Sequence, residues 1–463
     1  MLFEKIHNSE LFSDRRALIT PDATCSWSEL ARLTTACQKP LEPFTGHRIG
    51  LLMHRHPAAI AGLAACQARG CNVFLLEATA AAEDIQRLAE EFQLSAIVRA
   101  STGSGSPLEI TMSESEAAPD ASVAGITILT SGTEGRPKAA RHSWASLARP
   151  IRATDSAERQ VWLLSFRLDL YAGMQVMLQC LANYGTLVMP SEKASPDEIV
   201  TMMRDQTVGY ASATPSYWRR LVLMADRDIV AAAPLKQITL GGEAVDQQIL
   251  DSLVSIFPQS RIAHIYATTE LGRCFSVTDG QAGFPEKLLD APSADGIQLR
   301  VEDGELMVRS ANRMSGYEQQ GRGSGAADDQ SSEEASSDWF ATGDLVEQFA
   351  DRIYFAGRRT EMINVGGNKV SPLAVENVIR SVEGVADARV YGKSSSIAGQ
   401  LVACDLAVNQ GEDSREIRER VIQRCQVALA DIQQPRIVQI VDSISLTSSS
   451  KTARRDSIKP ETN

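Results

Sequence analysis

Along the first half of the chain, the spacing of apolar positions alternates between that of a strand and that of a helix. Between about residues 46 and 270, short apolar runs of strand type alternate with amphipathic helical stretches. Residues 48–53 and 237–240 are typical of strands, and residues 57–68 and 246–257 are typical of helices. Strands that alternate with helices predict parallel sheets with helices on both faces. Ligands in such sheets bind beyond the carboxyl ends of the strands.

The pattern changes in the second half. Residues 296–355 form short alternating runs that predict a small β-barrel-like subdomain. Beyond them, helical patterns at 372–382 and 414–430 alternate with strand-like runs, which predicts a compact α+β module. We therefore expect an α/β fold with an N-terminal domain at residues 1–358, built from parallel sheets covered by helices, and a small C-terminal domain at residues 359–463.

Composition excludes several classes of protein. A chain of 463 residues with 43% apolar and 22% charged residues matches an ordinary globular protein of two or three domains. No apolar run approaches the ~20 residues of a membrane span, and no secretory signal is expected at the N-terminus. The net charge of −12 argues against a nucleic-acid partner. The eight cysteines form no Cys-x-x-Cys pair, so we expect reduced core thiols in a cytoplasmic protein.

The most informative chemistry follows the apolar run at 126–129. Residues 130–138 read Thr-Ser-Gly-Thr-Glu-Gly-Arg-Pro-Lys. Glycines allow backbone N–H groups to turn toward an anion, hydroxyls add donors, and the two cations add charge, so the segment suits a polyphosphate. The P-loop of ATPases requires Gly-Lys-Ser/Thr at the start of a helix, whereas here Pro137 precedes Lys138 and Ala139 follows it.

This segment resembles the signature Thr-Ser-Gly-Thr-Thr-Gly-x-Pro-Lys of the AMP-forming acyl/aryl-CoA synthetase superfamily, which includes luciferases and nonribosomal adenylation domains. Further segments resemble that superfamily in its own order. They are Gly-Gly-Glu-Ala at 241–244, Tyr-Ala-Thr-Thr-Glu at 266–270, Gly-Glu-Leu at 304–306 with Met-Ser-Gly-Tyr at 314–317, Thr-Gly-Asp at 342–344, Gly-Arg at 357–358, Asn-Val-Gly-Gly-Asn-Lys at 364–369, and a late lysine at 451. The resemblance covers about residues 20–457.

The resemblance implies that a carboxylate attacks the α-phosphate of ATP, which releases pyrophosphate and leaves an acyl-adenylate. Lys451 would bridge the two anions, Thr269 would donate to the α-phosphate, and Glu270 would hold Mg²⁺. The remaining implied contacts with ATP fall into three groups. They are Thr130, Ser131, Gly132, Thr133, Gly135 and Lys138 at the phosphates, Gly242, Glu243, Ala244, Tyr266, Ala267 and Thr268 near the adenine, and Asp344 with Arg358 at the ribose.

The second half-reaction involves a thiol, and the resemblance leaves coenzyme A and the phosphopantetheine of a carrier protein open as acceptors. The C-terminal domain is expected to act as a mobile lid, with its hinge at Thr360. Asn364, Gly366, Gly367 and Lys369 are expected to line the thiol tunnel.

The substrate is a small carboxylic acid that the sequence does not identify. Its pocket is expected to include Phe166, Arg167, Asp169, Tyr171, Tyr210, Thr214 and Gly241. The histidine that many acyl-CoA synthetases carry near position 167 is missing here. Asp169 would suit an amino group on the acid, and Arg167 would suit a second carboxylate.

Four positions depart from the superfamily pattern: Glu134, Ala267, Thr360 and Ser450. Glu134 is the most unusual of them, because a carboxylate beside triphosphate oxygens repels them. These departures leave a second hypothesis open, a degenerate nucleotide- or acyl-binding homologue without turnover. His142 and His264, which flank two of the motifs, are expected to be structural.

Overall fold

The structure is a computed structural model. It describes residues 2–101, 105–113, 119, 124–131, 137–154, 159–290, 292–318, 339–395 and 399–444. The predictions for Gly132, Thr133, Glu134, Gly135, Ser450 and Lys451 concern positions outside the described residues.

The helices begin where short polar side chains cap them. Ser26 and Ser195 each accept a hydrogen bond from the backbone N–H three residues later, and the glutamate at that position bonds back, which forms a capping box at both helices. The described α-helices are α1 (Leu2–His7), α2 (Trp27–Leu41), α3 (Pro57–Arg69), α4 (Ala82–Glu91), α5 (Trp144–Ala148), α6 (Tyr171–Ala182), α7 (Pro196–Asp205), α8 (Pro215–Met224), α9 (Arg227–Ala231), α10 (Gln247–Ile256), α11 (Pro372–Arg380) and α12 (Ser414–Ala428).

The strands that build the two large sheets come first in the chain, apart from β18. They are β1 (Arg16–Ile19), β2 (Thr24–Ser26), β3 (Arg48–Leu52), β4 (Asn72–Leu76), β5 (Ala96–Ala100), β6 (Leu108–Met112), β7 (Gly125–Ser131), β8 (Pro137–His142), β9 (Val161–Leu164), β10 (Thr186–Val188), β11 (Tyr210–Ala213), β12 (Gln237–Gly241), β13 (Arg261–Thr268) and β14 (Gly272–Val277). The remaining strands are β15 (Phe284–Pro285), β16 (Gln298–Glu302), β17 (Glu305–Arg309), β18 (Gly316–Tyr317), β19 (Phe340–Phe349), β20 (Arg352–Arg358), β21 (Ile363–Val365), β22 (Asn368–Val370), β23 (Val385–Ser395), β24 (Gly399–Val408) and β25 (Ile437–Ile440).

The two large sheets are parallel in the middle and antiparallel at their edges. One has the order β14-β13-β12-β11-β9-β10-β1-β2, with β14 and β2 antiparallel to their neighbours. The other has the order β18-β8-β7-β4-β3-β5-β6, in which β7, β4, β3 and β5 run parallel. The predicted α/β class is confirmed, and the antiparallel edges are an addition that the apolar pattern did not reveal.

Strand β8 runs antiparallel to β7, and the two strands flank the predicted phosphate loop. Residues 132–136 connect β7 to β8, and Thr130 of β7 pairs directly with Lys138 of β8. The two ends of the predicted phosphate loop are therefore held side by side by a ladder of backbone hydrogen bonds.

The subdomain is a five-stranded antiparallel sheet with the order β15-β20-β19-β17-β16, and it follows the two large sheets in the chain. The C-terminal domain has its own core beneath a sheet formed by β21 to β25. Asp246 on the large domain forms an ion pair with Arg219. Burial of Asp246 opposes its ionisation, but two arginines hold its pKa below the ordinary value. Arg219 belongs to the large domain and Arg380 to the C-terminal domain, so the attraction between these charges links the two domains.

All eight cysteines are buried, as expected for core residues. None of the helices in the described parts of the chain combines the length and apolar character that a bilayer crossing requires.

Candidate active site

One corner of the site is organised around the carboxylate of Asp344, which is only 8% exposed. Tyr266 donates its phenolic hydrogen to Asp344 Oδ2 at 2.6 Å, and Arg358 Nε donates to Oδ1 at 2.9 Å. Strands β19 and β20 place Asp344 directly opposite Arg358 in their antiparallel ladder. Each carboxylate oxygen has two lone pairs, so this group retains the capacity to accept two further hydroxyl hydrogens.

Tyr266 lies in an aromatic stack at the end of β13. Its ring is 5.3 Å from that of Phe275 and 5.0 Å from that of Phe355, both nearly parallel to it. Burial and the neighbouring Asp344 carboxylate raise the pKa of Tyr266 well above its usual value, so the phenol stays protonated and keeps donating. The stack gives the corner a flat apolar wall beside a carboxylate, which suits a base attached to a ribose.

The second corner contains Glu270, Tyr317 and Lys138. Tyr317 donates to Glu270 Oε1 at 2.9 Å, and Lys138 Nζ lies 5.3 Å from the centre of the Tyr317 ring. The predicted phosphate lysine and the predicted metal ligand therefore meet through one aromatic side chain. The residues at 132–136, which connect Ser131 to this corner, lie outside the described part of the chain.

Thr269 is fixed through its backbone rather than its side chain. The Thr269 carbonyl accepts a hydrogen bond from His142 Nε2 at 2.7 Å, and Thr268 Oγ1 accepts one from Leu271 N at 3.1 Å. Burial lowers the pKa of His142, although the Thr269 carbonyl and Glu270 oppose this effect, so the imidazole is neutral at pH 7. Ala267 lies at a register shift between β13 and β14, which turns the chain toward Thr269.

His264 also has a structural role, as expected. Its Nε2 donates to the Gln281 carbonyl at 3.0 Å, and burial lowers its pKa.

The turn at residues 241–244 follows β12. A Cβ atom on Gly241 would lie 2.9 Å from Ile265 Cγ1, so a side chain would press into β13. Gly242 has a φ of 84°, which L-residues rarely adopt. Glu243 accepts a hydrogen bond from Ser216 N at 3.1 Å, and Ala244 is half-buried. Gly242 is therefore required by the backbone of the turn, and Gly241 by its close approach to Ile265 of β13.

The predicted acid pocket contains a group of three charges. Arg167 forms ion pairs with Asp169 and with Glu77, whose Oε1 lies 2.6 Å from Arg167 Nη1. The Arg167 side chain is only 17% exposed. The sequence left Arg167 and Asp169 as separate recognition groups, whereas the structure pairs them with each other, so neither is an isolated charge.

Other predicted pocket residues divide between the two ends of β11. Thr214, at the carboxyl end, is fully buried and caps α8 by accepting from Tyr217 N at 3.0 Å. Tyr210 lies at the amino end, four residues and about 13 Å away at ~3.3 Å per residue. It stacks on Trp162 with ring centres 5.0 Å apart. Tyr210 therefore packs at the end of β11 opposite its carboxyl end, and its place in the acid pocket stays a prediction.

Phe166 and Tyr171 are both buried beside the end of β9. The Phe166 carbonyl accepts from Arg55 Nη2 at 3.4 Å, and the ring of Tyr171 lies 5.6 Å from that of His142. A Cβ atom on Gly173 would lie 1.9 Å from the Arg167 carbonyl oxygen, so only glycine allows α6 to pack this closely.

The predicted thiol-tunnel residues lie on the hairpin between β21 and β22. Gly366 and Gly367 occupy its turn with φ values of 57° and 89°, as a tight two-residue turn requires. Asn364 Oδ1 accepts from Gly367 N at 3.1 Å, and Lys369 is exposed on the return strand. Thr360 is exposed in the short 3₁₀ turn that enters this domain.

Two residues that touch the site received no role from the motifs. Tyr317 connects Lys138 to Glu270, and Glu305 accepts from Gly343 N at 2.7 Å, beside Asp344. Both lie in segments that resemble superfamily motifs, at 304–306 and 314–317, and this position in the sequence could have marked them as site residues. Their contacts depend on strands that meet only in the fold.

Comparison with known proteins gives a direct family match. The model of the AMP-binding enzyme family matches residues 6–318, and that of the AMP-binding enzyme C-terminal domain matches residues 374–451. The chain is 26% identical to a 2-succinylbenzoate–CoA ligase of Bacillus pumilus (strain SAFR-032), across 97% of this chain and 96% of that protein.

Solved structures agree on the fold. The anthranilate CoA ligase AuaEII in complex with anthranoyl-AMP superimposes with a TM-score of 0.78 at 15% identity, covering 97% of this chain and 95% of that one. The o-succinylbenzoate CoA synthetase MenE from Bacillus subtilis, in complex with the acyl-adenylate OSB-AMP, gives a TM-score of 0.69 at 20% identity, covering 100% and 98%. The chain therefore belongs to the AMP-binding enzyme family and is an AMP-forming acid–thiol ligase.

Proposed function

We propose that this ligase activates an aromatic carboxylic acid with ATP and transfers the acyl group to coenzyme A. The observation that supports it best is the convergence of the two corners on one strand end. Tyr266 and Glu270 are four residues apart, so the Asp344 corner and the Lys138 corner lie within about 13 Å along an extended backbone. One nucleotide can contact both.

The roles proposed for individual residues agree with this placement and with the motifs that contain them. Asp344 accepts from the ribose hydroxyls on its free lone pairs, and Tyr266 with its aromatic neighbours covers the adenine. Lys138 and the segment at 130–135 bind the phosphates, and the N–H and hydroxyl of Thr269 face the α-phosphate. Preorganised donors and cations of this kind stabilise the charge that develops when two anions react.

A magnesium ion fits the second corner. The described residues contain no group of three or more His, Cys, Asp or Glu side chains placed to hold a metal by themselves. Glu270 offers one carboxylate, with Oε1 engaged by Tyr317, and Mg²⁺ commonly takes one or two carboxylates together with phosphate oxygens and water. Bound there, the ion supplies neutralising charge to the phosphates.

The acid is proposed to be aromatic because the relatives described above are named for 2-succinylbenzoate and anthranilate. Arg167 does not support recognition of a second carboxylate, since Asp169 and Glu77 already surround it and leave the group with a net charge of about −1. We therefore expect benzoate-type acids to be used at least as well as 2-succinylbenzoate.

The lid supplies the remaining chemistry in this proposal. Lys451 neutralises the carboxylate and the α-phosphate during adenylation, and the hairpin with Gly366 and Gly367 faces the thiol in the second step. Thr360 is the proposed hinge. The role of Lys451 is supported by the match of the C-terminal family model, which covers residues 374–451. The roles of Thr360, Gly366 and Gly367 rest on the resemblance of their motifs to the superfamily.

ATP–pyrophosphate exchange across benzoate, anthranilate, 2-succinylbenzoate, fatty and amino acids tests the proposal. Exchange with an aromatic acid, reduced about 10²–10³-fold in Lys451→Ala, is the expected result. Exchange only with fatty or amino acids refutes the acid class. ATP binding without exchange for any acid supports the degenerate homologue instead. Product formation with coenzyme A against a phosphopantetheinylated carrier protein then decides the acceptor.

A further inference from the structure

We propose that Tyr317 is a positioning residue for the metal–phosphate corner, and that it directs Glu270 toward Mg²⁺ and Lys138 toward the phosphates. The inference deepens the function proposed above and depends on it. Tyr317 is 39% exposed, so its ring is not a core residue that packing alone explains.

The segment that carries Tyr317 is bonded to both halves of the corner. Met314 N donates to the Glu270 carbonyl at 2.7 Å, and Ser315 N donates to the Arg141 carbonyl at 2.7 Å. Tyr317 pairs with Ala140 in the ladder between β18 and β8. The backbone at 314–317 therefore spans from the Glu270 turn to β8, the strand that contains Lys138.

A buried ion pair anchors the same segment immediately after Tyr317. The Glu318 side chain is 6% exposed, and its Oε2 lies 3.2 Å from Arg48 Nη2, with Arg141 Nε 3.8 Å from its other oxygen. Glu318 N also donates to the Ala139 carbonyl at 2.8 Å. With backbone hydrogen bonds on both sides, the Cα–Cβ direction of Tyr317 is set before any ligand binds.

The hydroxyl of Tyr317 selects one carboxylate oxygen of Glu270. It donates to Oε1 at 2.9 Å, which fixes the plane of the carboxylate and leaves Oε2 for a cation. A hydrogen bond to a charged acceptor contributes more than a neutral one, so its loss releases the Glu270 rotamer. Supporting bonds of this kind tune metal affinity by about 10- to 100-fold.

The ring of Tyr317 acts on the cation beside it. Lys138 Nζ lies 5.3 Å from the ring centre, within the range of a cation–π contact. The aromatic face attracts the ammonium without neutralising it, as a carboxylate would. Lys138 thus keeps its full charge for a phosphate while its stem is held near the end of the hairpin.

The test measures ATP binding by calorimetry over a range of MgCl₂ concentrations, which needs no knowledge of the acid. The Mg²⁺ midpoint is the MgCl₂ concentration that gives half of the full Mg²⁺-dependent gain in ATP affinity. In Tyr317→Phe we expect this midpoint to rise about tenfold, while the affinity for ATP in EDTA stays within twofold of wild type. Tyr317→Leu, which also removes the ring, should weaken ATP binding in EDTA by about 2- to 5-fold.

Two controls keep the inference falsifiable. Tyr354→Phe removes the hydroxyl of a tyrosine that is also about one-third exposed, at 37%, and should bind like wild type. In a Glu270→Gln background, Tyr317→Phe should change the Mg²⁺ midpoint by less than twofold. An unchanged midpoint in Tyr317→Phe, or a full tenfold effect without Glu270, overturns the inference. Wild-type ATP binding without any Mg²⁺ dependence overturns instead the metal role on which it rests.

Discussion

Replacement of Asp344 by asparagine tests the ribose corner most directly. The carboxylate is 8% exposed and accepts from Tyr266 at 2.6 Å and from Arg358 at 2.9 Å. An asparagine of the same shape offers one acceptor oxygen and one NH₂ group. With the amide oxygen toward Arg358, the NH₂ group faces the Tyr266 hydroxyl, which can turn to accept from it, so a charge-assisted bond is replaced by a neutral one. In the other orientation the NH₂ group opposes Arg358 Nε.

The structure sets the magnitude. The bond from Tyr266 is buried and charge-assisted, which corresponds to about 1.5–3 kcal/mol. The Arg358 side chain is 52% exposed, so its ion pair contributes only about 0–1 kcal/mol. Replacement of the charge-assisted bond by a neutral one, together with loss of the ion pair, should therefore lower the free energy of unfolding by about 1–2 kcal/mol. Loss of the negative acceptor for the ribose should weaken ATP binding by a further factor of about 10–100.

Urea unfolding followed by circular dichroism, together with calorimetric titration of ATP, measures the two effects separately. Asp351→Asn is a suitable control, because Asp351 is an exposed carboxylate in the turn between β19 and β20. If Asp344→Asn binds ATP as tightly as the control does, Asp344 is not an acceptor for the ribose hydroxyls. A loss of stability with normal ATP binding would show that Asp344 is structural only.

Three further perturbations concern the surroundings of the site. Glu305→Ala removes the acceptor of Gly343 N, so unfolding free energy in urea should fall by about 2 kcal/mol and ATP binding should weaken. Gly173→Ala places a Cβ atom 1.9 Å from the Arg167 carbonyl oxygen and should cost about 3 kcal/mol in the same assay. Burial lowers the pKa of His142 in the folded state. As pH falls below about 6.5, the unfolded chain therefore binds a proton at this histidine before the folded protein does, and the free energy of unfolding decreases. His142→Gln should make this decrease between pH 7 and pH 5 smaller.

Each of these has a matched control on the exposed surface. Glu302→Ala removes a carboxylate from the exposed end of the neighbouring strand, and Gly105→Ala adds a methyl group with no atom within 4 Å. His7→Gln changes an exposed histidine. If a variant and its control lose the same free energy of unfolding, the contact proposed for that residue is not the cause of the loss. An unchanged pH profile of stability in His142→Gln would likewise contradict the role of His142.

The sequence by itself determined the architecture and the family. Local periodicity predicted β3 followed by α3 and β12 followed by α10, because the side-chain spacing of a helix or strand is a property of neighbouring residues. The collinear motifs led to the family that the comparisons confirm. These signals survive in a linear chain, since neither requires knowledge of which strands meet.

Only the tertiary structure decided which side chains share a site. Tyr266 and Asp344 are 78 positions apart, and their hydrogen bond depends on how the subdomain packs against the end of β13. The pairing of Arg167 with Glu77 depends on how the segments after β9 and β4, which belong to different sheets, meet, and the place of Tyr210 at the opposite end of β11 follows from strand direction. Register is a relation between distant segments, and a shift of one residue turns every side chain of a strand to the other face, so no local pattern could have specified these contacts.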